Sequence, residues 1–377
     1  MNQVPLGDLV TIIGGGTPDR DNPTYWDGDI PWITVKDFKS FEICGSQENI
    51  TKAGLNGSAS NLIPAGTIII PTRMALGKVA ISEVDVAINQ DLKALQLRDK
   101  KVIDRNYLFH FFLSKTAYLE SCGQGATVKG ITLDVLRNLQ VPLPKLSEQK
   151  RIAGILEKAD SVRRKCSKAI DLAEKLLRAV FIEMYGDPTN NPKDWPVREM
   201  GDIIEFKGGS QPPKDTFIDE LRPGYVRLVQ IRDFKSDRYK VYIPIALAKR
   251  SFESDDVMIA RYGPPVFQIL RGLRGSYNVA LMKAQPKTEI LKEVVFWLLQ
   301  LPAYHSTVVA NSERTAGQSG VNLKLLNKLA VPLPPIEYQR LIADRTIRIS
   351  ALIKKQHQMF SECDKQFRAL QAQFFDN

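Results

Sequence analysis

Apolar residues recur in steps of three and four along one long stretch in the middle of the chain. Ile152, Ile155, Ala159, Val162, Cys166, Ala169, Ala173, Leu176 and Val180 make a heptad seam. That seam predicts a helix over 146–190 that needs a coiled-coil partner. Pro142 and Pro144 end the element before it, Ser147 beside Glu148 offers an N-cap, and Gly186 closes it. About 40 residues of helix span roughly 60 Å. A second stretch, 336–377, places Ile342, Ile349, Leu352, Met359, Leu370 and Phe374 in seam phase, with Arg345, Gln356 and Gln366 interrupting it. Alone it is a poorer seam. The simplest arrangement packs the two helices against each other, which brings the end of the chain back beside its middle.

The remaining segments, 1–145 and 191–335, lack a long period. Short strand-like runs such as Ile30–Val35, Thr67–Ile70 and Lys78–Ile81 alternate with turn chemistry at Gly14-Gly15-Gly16-Thr17-Pro18 and Gly208-Gly209-Ser210-Gln211-Pro212-Pro213. Helix-like stretches run over Asn106–Leu119 and Glu293–Leu301. Each segment therefore reads as an α+β (mixed α/β) globule.

The order globule, helix, globule, helix is a duplication. Val141-Pro142-Leu143-Pro144 returns as Val331-Pro332-Leu333-Pro334, an offset of 190. Gly130-Ile131-Thr132-Leu133 and Gly320-Val321-Asn322-Leu323 keep that offset, as do Arg178-Ala179 with Arg368-Ala369 and Met184–Asp187 with Phe374–Asn377. Upstream the offset drifts. Gly7-Asp8 pairs with Gly201-Asp202, and Lys36-Asp37-Phe38-Lys39-Ser40 with Arg232-Asp233-Phe234-Lys235-Ser236. Loop insertions produce such drift. The expected fold is two similar globules joined by two long antiparallel coiled-coil helices, a pseudo-two-fold repeat.

Composition adds little. A chain of 377 residues that is 44% hydrophobic and 25% charged has apolar surface enough for packed cores. No apolar run reaches the ~20 residues of a bilayer helix, and the N-terminus does not read as a signal peptide. Four scattered cysteines suit a reducing cytoplasm. Net charge is +10. Counted by segment it is zero over 1–145, +2 over 146–190, +6 over 191–335 and +2 over 336–377. A modest basic excess points to a polyanionic partner. Catalytic signatures are missing: Gly77-Lys78 lacks the rest of a phosphate-binding loop, and Asn191-Pro192-Lys193-Asp194 reads as a linker. No histidine, cysteine or carboxylate spacing demands a metal. Weight shifts towards a non-catalytic binding module.

The duplicated pattern resembles the specificity subunit of Type I restriction-modification enzymes over essentially the whole chain. The residues that carry the resemblance are Gly28-Asp29-Ile30-Pro31-Trp32-Ile33 with Lys36-Asp37, Gly77-Lys78-Val79-Ala80-Ile81, and Asn89-Gln90-Asp91. The two Pro-Leu-Pro segments leading into Glu148–Ala153 and Tyr338–Ala343 complete it. In the second globule Gly224-Tyr225-Val226-Arg227-Leu228 replaces the Pro-Trp version, and Gly-Lys-Val-Ala-Ile has no clean counterpart. The resemblance implies target recognition domains at 1–145 and 191–335, each contacting one half of a split double-stranded DNA site. It implies that the helices 146–190 and 336–377 set the spacer and dock two methyltransferase subunits. S-adenosylmethionine would bind on those subunits, with no cofactor on this chain, and a nuclease-translocase subunit would complete the complex.

Base edges favour Arg, Lys, Asn and Gln, while phosphates take Arg and Lys. The candidates in the first globule are Lys36, Lys39, Arg73, Lys78, Asn89, Gln90 and Lys129. Those in the second are Arg227, Gln230, Arg232, Lys235, Arg261, Arg271 and Arg274. Arg73 and Arg261 each follow an apolar strand and read as a repeated pair that presents a guanidinium to DNA or closes a structural ion pair. Arg271 and Arg274 sit in a basic loop that contacts phosphate or is merely solvated. Arg151, Lys158, Arg163, Arg164, Lys165 and Lys168 read for the most part as a solvated helix flank, the other reading being contact with DNA or the methyltransferase. Leu177, Phe181, Tyr185, Phe367 and Phe375 either dock a partner or complete the core. Two other readings stay open: a recognition subunit for a related fused methyltransferase-nuclease, and a coiled-coil adaptor that binds no DNA.

Overall fold

In the computed structural model of the protein, residues 2–125, 129–263, 265–315 and 318–376 are described. Strand β1 (Gln3–Pro5), helix α1 (Leu6–Leu9) and strand β2 (Val10–Gly14) open the chain. Next come β3 (Trp26–Ile33), β4 (Glu42–Ile43), β5 (Glu48–Ile50), α2 (Lys52–Asn56), β6 (Leu62–Ile63), β7 (Ile68–Pro71), β8 (Ala80–Ser82), β9 (Val86–Ile88) and β10 (Leu92–Leu97). Helices α3 (Arg105–Ser114), α4 (Thr116–Ser121) and α5 (Leu133–Arg137) and strand β11 (Gln140–Pro142) lead into α6 (Leu146–Tyr185), 40 residues long.

The second half repeats this order. It runs through β12 (Val197–Glu199), α7 (Met200–Ile203), β13 (Ile204–Gly208), β14 (Tyr225–Val229), β15 (Tyr242–Pro244), β16 (Ser251–Phe252), β17 (Val257–Ala260), β18 (Ile269–Leu270), β19 (Gly275–Tyr277) and β20 (Leu281–Pro286). Then come α8 (Lys292–Leu298), α9 (Pro302–Ala310), β21 (Glu313–Thr315), β22 (Gln318–Gly320), α10 (Leu323–Lys328), β23 (Ala330–Pro332) and α11 (Ile336–Phe375), again 40 residues.

The chain divides into two units, 1–168 with 358–377, and 169–357. Each long helix thus contributes to both. In the first unit the strands order as β2-β10-β7-β8-β4 and β5-β3-β9-β6, and β1 pairs with β11. In the second they order as β13-β20-β17-β18 and β15-β14-β19-β16, and β12 pairs with β23. The sheets β5-β3-β9-β6 and β15-β14-β19-β16 each contain one parallel step, β3 on β9 and β14 on β19. The expected α+β class and internal repeat are what the structure contains.

Two buried glutamines tie the helix starts to their units in the same way. Gln149 donates from Nε2 to the Pro144 and Val102 carbonyls, and its Oε1 accepts from the Asp104 N–H at 2.8 Å. Gln339 donates to the Pro334 and Glu289 carbonyls and accepts from the Leu291 N–H at 2.8 Å. Each amide satisfies three backbone groups that water cannot reach. The Pro-Leu-Pro segments are latched there, which explains why this stretch survives in both copies.

The helices α6 and α11 pack together antiparallel, and the heptad pattern selects their contact only in part: Ile152, Ile342 and Phe374 are buried, but other seam positions are not. Val162, Ala169 and Leu176 are exposed, as are Arg345, Leu352, Met359 and Gln366. The buried stripe on α6 is Ile152, Leu156, Asp160, Ile170, Leu177, Phe181 and Met184. On α11 it is Ile342, Thr346, Ile353, Phe367, Gln371 and Phe374. Arg163 is not a solvated flank either: it bonds Asp160, which is almost fully buried, and reaches Asp364 on α11 at 3.6 Å. In the second unit Glu174 meets His357 at 3.5 Å.

Candidate nucleic-acid interface

Each unit builds the same turns around different exposed side chains. In the first turn the Thr34 N–H donates to Asp37 Oδ2, and the Gln230 N–H donates to Asp233 Oδ2, both at 2.8 Å. An aspartate three residues on caps the free N–H of the turn. That accounts for the repeated Asp-Phe-Lys-Ser stretch and leaves Lys36, Lys39, Arg232 and Lys235 exposed on it. In the second turn Asn89 Oδ1 accepts from the Asp91 N–H at 3.1 Å, and Asn278 Oδ1 accepts from the Ala280 N–H at 3.2 Å. A third segment passes so close that a Cβ on Gly15 or Gly209 would lie 1.9 Å from a backbone carbonyl oxygen, Ile88 or Asn278. Only glycine permits that approach.

In the first unit these turns bring Arg73, Gln90 and Lys93 together. The Arg73 side chain is 64% exposed and reaches Asp91 only at 3.9 Å. Gln90 is exposed, and its Oε1 accepts from the Thr17 hydroxyl. That bond orients the amide and leaves its N–H donors for another acceptor. Lys93 donates to the Gln90 and Leu92 carbonyls at 3.0 Å. Burial first, then Arg73, pull its ammonium below the usual lysine range, against Asp91. Lys129 is exposed, and its carbonyl accepts from the Met74 N–H at 3.1 Å. Lys39 and Lys78 stand apart from this group. With Arg163 and Arg164 they line a groove of about 540 Å³ floored by Phe38, Phe41 and Leu76.

Asn89 is a correction: as a base reader it would need exposure, yet it is 6% exposed and spent on its own turn. Its repeat partner Asn278 does the same work, so the pair is retained for the backbone. The pairing of Arg261 with Arg73 is a second correction. Thr72 and Arg261 hold equivalent places: their N–H groups donate to Asp91 and Ala280, and their carbonyls accept from Ile131 and Val321. Arg73 bridges Gly130, and Tyr262 bridges Gly320. The partner of Arg73 is therefore Tyr262, and a one-residue slip sends the side chain to the other face. Arg261 lies 5.1 Å from the Tyr262 ring.

Arg227 and Arg271 in the second unit are used internally, while Gln230 lends its backbone N–H to a turn. Arg227 bonds Asp237 at 3.0 Å and approaches buried Asp233 at 3.9 Å. Gln230 opens the capped turn. Arg271 pairs with Glu293 at 2.5 Å and lies 3.8 Å over the Phe296 ring, so it is not a free loop cation. Arg274 is exposed. Lys93 and Arg238 with Tyr239 (5.2 Å apart) are further cations that the sequence reading missed, whereas Arg20, stacked on Trp26 at 3.9 Å, is paired with Glu48. Arg-aromatic proximity in sequence signals the two arginines.

The candidate docking residues are all core. Phe181 and Tyr185 belong to the core of the second unit, where the Tyr185 hydroxyl donates to the Pro332 carbonyl. Leu177 is buried there too. Phe367 and Phe375 belong to the core of the first, with Phe375 ringed by Tyr107 and Phe111. Their burial leaves no surface to dock on. The exposed apolar residues of α6 and α11 in the second unit are Leu172, Leu176, Ile182, Leu341, Ile347 and Leu352. Among the described residues no cluster of three or more His, Cys, Asp or Glu is placed to hold a metal. No described helix is long and apolar enough to cross a membrane.

Fold and turns define an internally duplicated α+β protein with exposed cations and amides on repeated loops. Residues 1–171 and 192–358 match the Type I restriction modification DNA specificity domain. The chain belongs to this family, the DNA specificity subunits of Type I restriction-modification systems. It is 29% identical over 244 residues to the Type I restriction enzyme MjaIX specificity subunit of Methanocaldococcus jannaschii, covering 59% of this chain and 56% of that one. It is 31% identical over 189 residues to the EcoR124I/EcoR124II specificity subunit of Escherichia coli, covering 48% and 46%. These two matches thus span about half the length of each relative. A longer match, to the MjaVIII specificity subunit of Methanocaldococcus jannaschii, is 21% identical and covers 93% and 86%. The fold is similar to that of the S subunit of a Type I system from M. genitalium, with a TM-score of 0.60, 14% identity and coverage of 99% and 96%.

Proposed function

We propose that this chain is the non-catalytic DNA reader of a Type I restriction-modification complex in the cytoplasm, and that each unit reads one half of a bipartite duplex site. The observation that carries the reading is one turn framework built twice with different side chains at equivalent places. Arg73 and Gln90 in the first unit are replaced by Tyr262 and Val279 in the second. A shared scaffold with unlike tips suits two unlike half-sites, since base edges are told apart by donor and acceptor pattern. Regions 1–145 and 191–335 are the target recognition domains, and α6 and α11 carry the spacer between half-sites. Two methyltransferase subunits dock on the helices, where Leu172, Leu176 and Leu352 offer exposed apolar surface. Those subunits bring S-adenosylmethionine, and nuclease-translocase subunits complete the assembly.

The test is duplex binding by the complex reconstituted with its methyltransferase, measured against salt. Neutralising several phosphates predicts a linear fall of log affinity with log salt and a loss of ~10³-fold or more between about 50 and 200 mM. Gln90→Ala should lower the preference for the correct site over random duplex and leave the slope unchanged. Salt-insensitive binding, or none with a properly associated complex, would leave the protein-only adaptor as the better account.

A further inference from the structure

Where α6 and α11 cross inside the first unit, two thiols face each other. Arg163 on α6 reaches Asp364 on α11 at 3.6 Å, and its guanidinium lies 5.1 Å from the Phe367 ring. In an antiparallel pair the facing residues run in opposite chain directions. One turn forward from Arg163 is Cys166, and one turn back from Phe367 is Cys363. The two thiols interact side chain to side chain, and both are half-buried and unbridged.

The repeat supplies an internal control. The offset of 190 carries Cys166 to Gln356 and Cys363 to Ala173 in the second unit. The equivalent crossing is built there without a thiol, so packing of the helices does not require the cysteines. Cys44 is exposed and Cys122 lies on α4's end, both on other elements.

We propose that Cys166 and Cys363 form a redox-reversible cross-link between α6 and α11, closed by a hydroperoxide or by a small-molecule disulfide such as oxidised glutathione. With the disulfide, one cysteine thiolate attacks a glutathione sulfur and expels one glutathione thiolate, and the second attacks the protein sulfur of the mixed disulfide and expels the other, so two thiols are oxidised and one disulfide is reduced to two glutathiones. With a hydroperoxide, one thiolate sulfur attacks the peroxide oxygen. The O–O bond breaks, the alcohol leaves after taking up a proton, and a sulfenic acid remains. The second thiolate attacks that sulfur, the S–S bond forms, and hydroxide leaves as water. Two thiols give up two electrons and two protons, and the peroxide is reduced. A thiol reductant reverses the bridge by exchange. Burial, the neighbouring Cys166 and Glu362 push the Cys363 thiol up. Its thiolate is therefore scarce at neutral pH, and bridging speeds up as pH rises. The closed loop contains the whole of 169–357, so the bridge restricts the unfolded chain strongly.

The experiment uses the full chain, with Cys44→Ser and Cys122→Ser removed as bystanders. After treatment with oxidised glutathione, the intact mass should fall by about 2 Da. Digestion should yield one linked peptide pair containing Cys166 and Cys363. The Tm should rise by ~5 °C or more, and dithiothreitol should return it. Cys166→Ser and Cys363→Ser, each in that background, should abolish both changes. An unchanged mass, or separate glutathione adducts on the two cysteines with no linked peptide, would overturn the proposal.

Discussion

At His110 burial decides the charge. The imidazole sits on α3 in the first unit, and its Nδ1 has no hydrogen-bond partner among the described residues. Burial pulls its pKa from 6.5 down to about 4, with Asp160 opposing and Arg164 assisting. The folded value lies below the unfolded one, so the unfolded chain takes up the proton first as pH falls. The stability associated with neutral His110 is complete above pH 6.5 and is lost towards about 4. The loss amounts to ~3 kcal/mol. His110→Phe should therefore flatten the fall of urea midpoint between about pH 7 and 4.5. An equally steep fall in the variant would place the acid sensitivity elsewhere.

Single residues were also where the sequence said least about direction. Asn89 and Gln90 are neighbours of similar chemistry, yet one closes its own turn and the other faces solvent. Composition cannot separate them, because the difference is a hydrogen bond two residues along the backbone. The same holds for the buried acceptor after each Val-Pro strand. Tyr107 from α3 donates to the Pro142 carbonyl in the first unit, while Tyr185 from α6 donates to the Pro332 carbonyl in the second. The acceptor is kept and the donor comes from a different helix, so aligning the two copies residue by residue misses the pairing.

At the scale of elements, length and bounds of the helices were legible and their buried face only in part. Heptad reading counts apolar residues, but the buried stripe includes Asp160, Thr346 and Gln371, polar residues held by partners or packed among apolar ones. Arg163 and Arg164 neutralise Asp160 from within one turn. A seam scored by hydrophobicity alone therefore takes in positions of the neighbouring face as well, where Val162, Leu176 and Leu352 stand exposed. The two faces make opposite predictions. Leu176→Gln and Leu352→Gln should change unfolding free energy by under ~0.5 kcal/mol. Ile170→Ala and Leu177→Ala should each cost ~2–5 kcal/mol. Urea titration of the four variants checks this, and a reversed ranking would restore the heptad seam. If the exposed face docks the methyltransferase, the two glutamine variants should fold normally and lose association.

For the whole molecule the duplication was the most legible feature, because proline-rich segments and a buried glutamine latch tolerate little change. The strand orders of both units follow from it. The loops around Arg73 and Tyr262 were less legible because they diverge. The slip that sets Tyr262 against Arg73 is a matter of one residue in an otherwise matching strand end. Divergence at the tips over a preserved framework is what reading two unlike half-sites requires. The measurement that tests it most directly is a methylome. The chain is co-expressed with its methyltransferase in an unmethylated host, and modified adenines are mapped by long-read sequencing. The account predicts one bipartite motif with a fixed degenerate gap, and a change in one half only when residues 191–335 are exchanged for those of a relative. A continuous motif, both halves changing together, or no motif from a soluble and associated pair would contradict it.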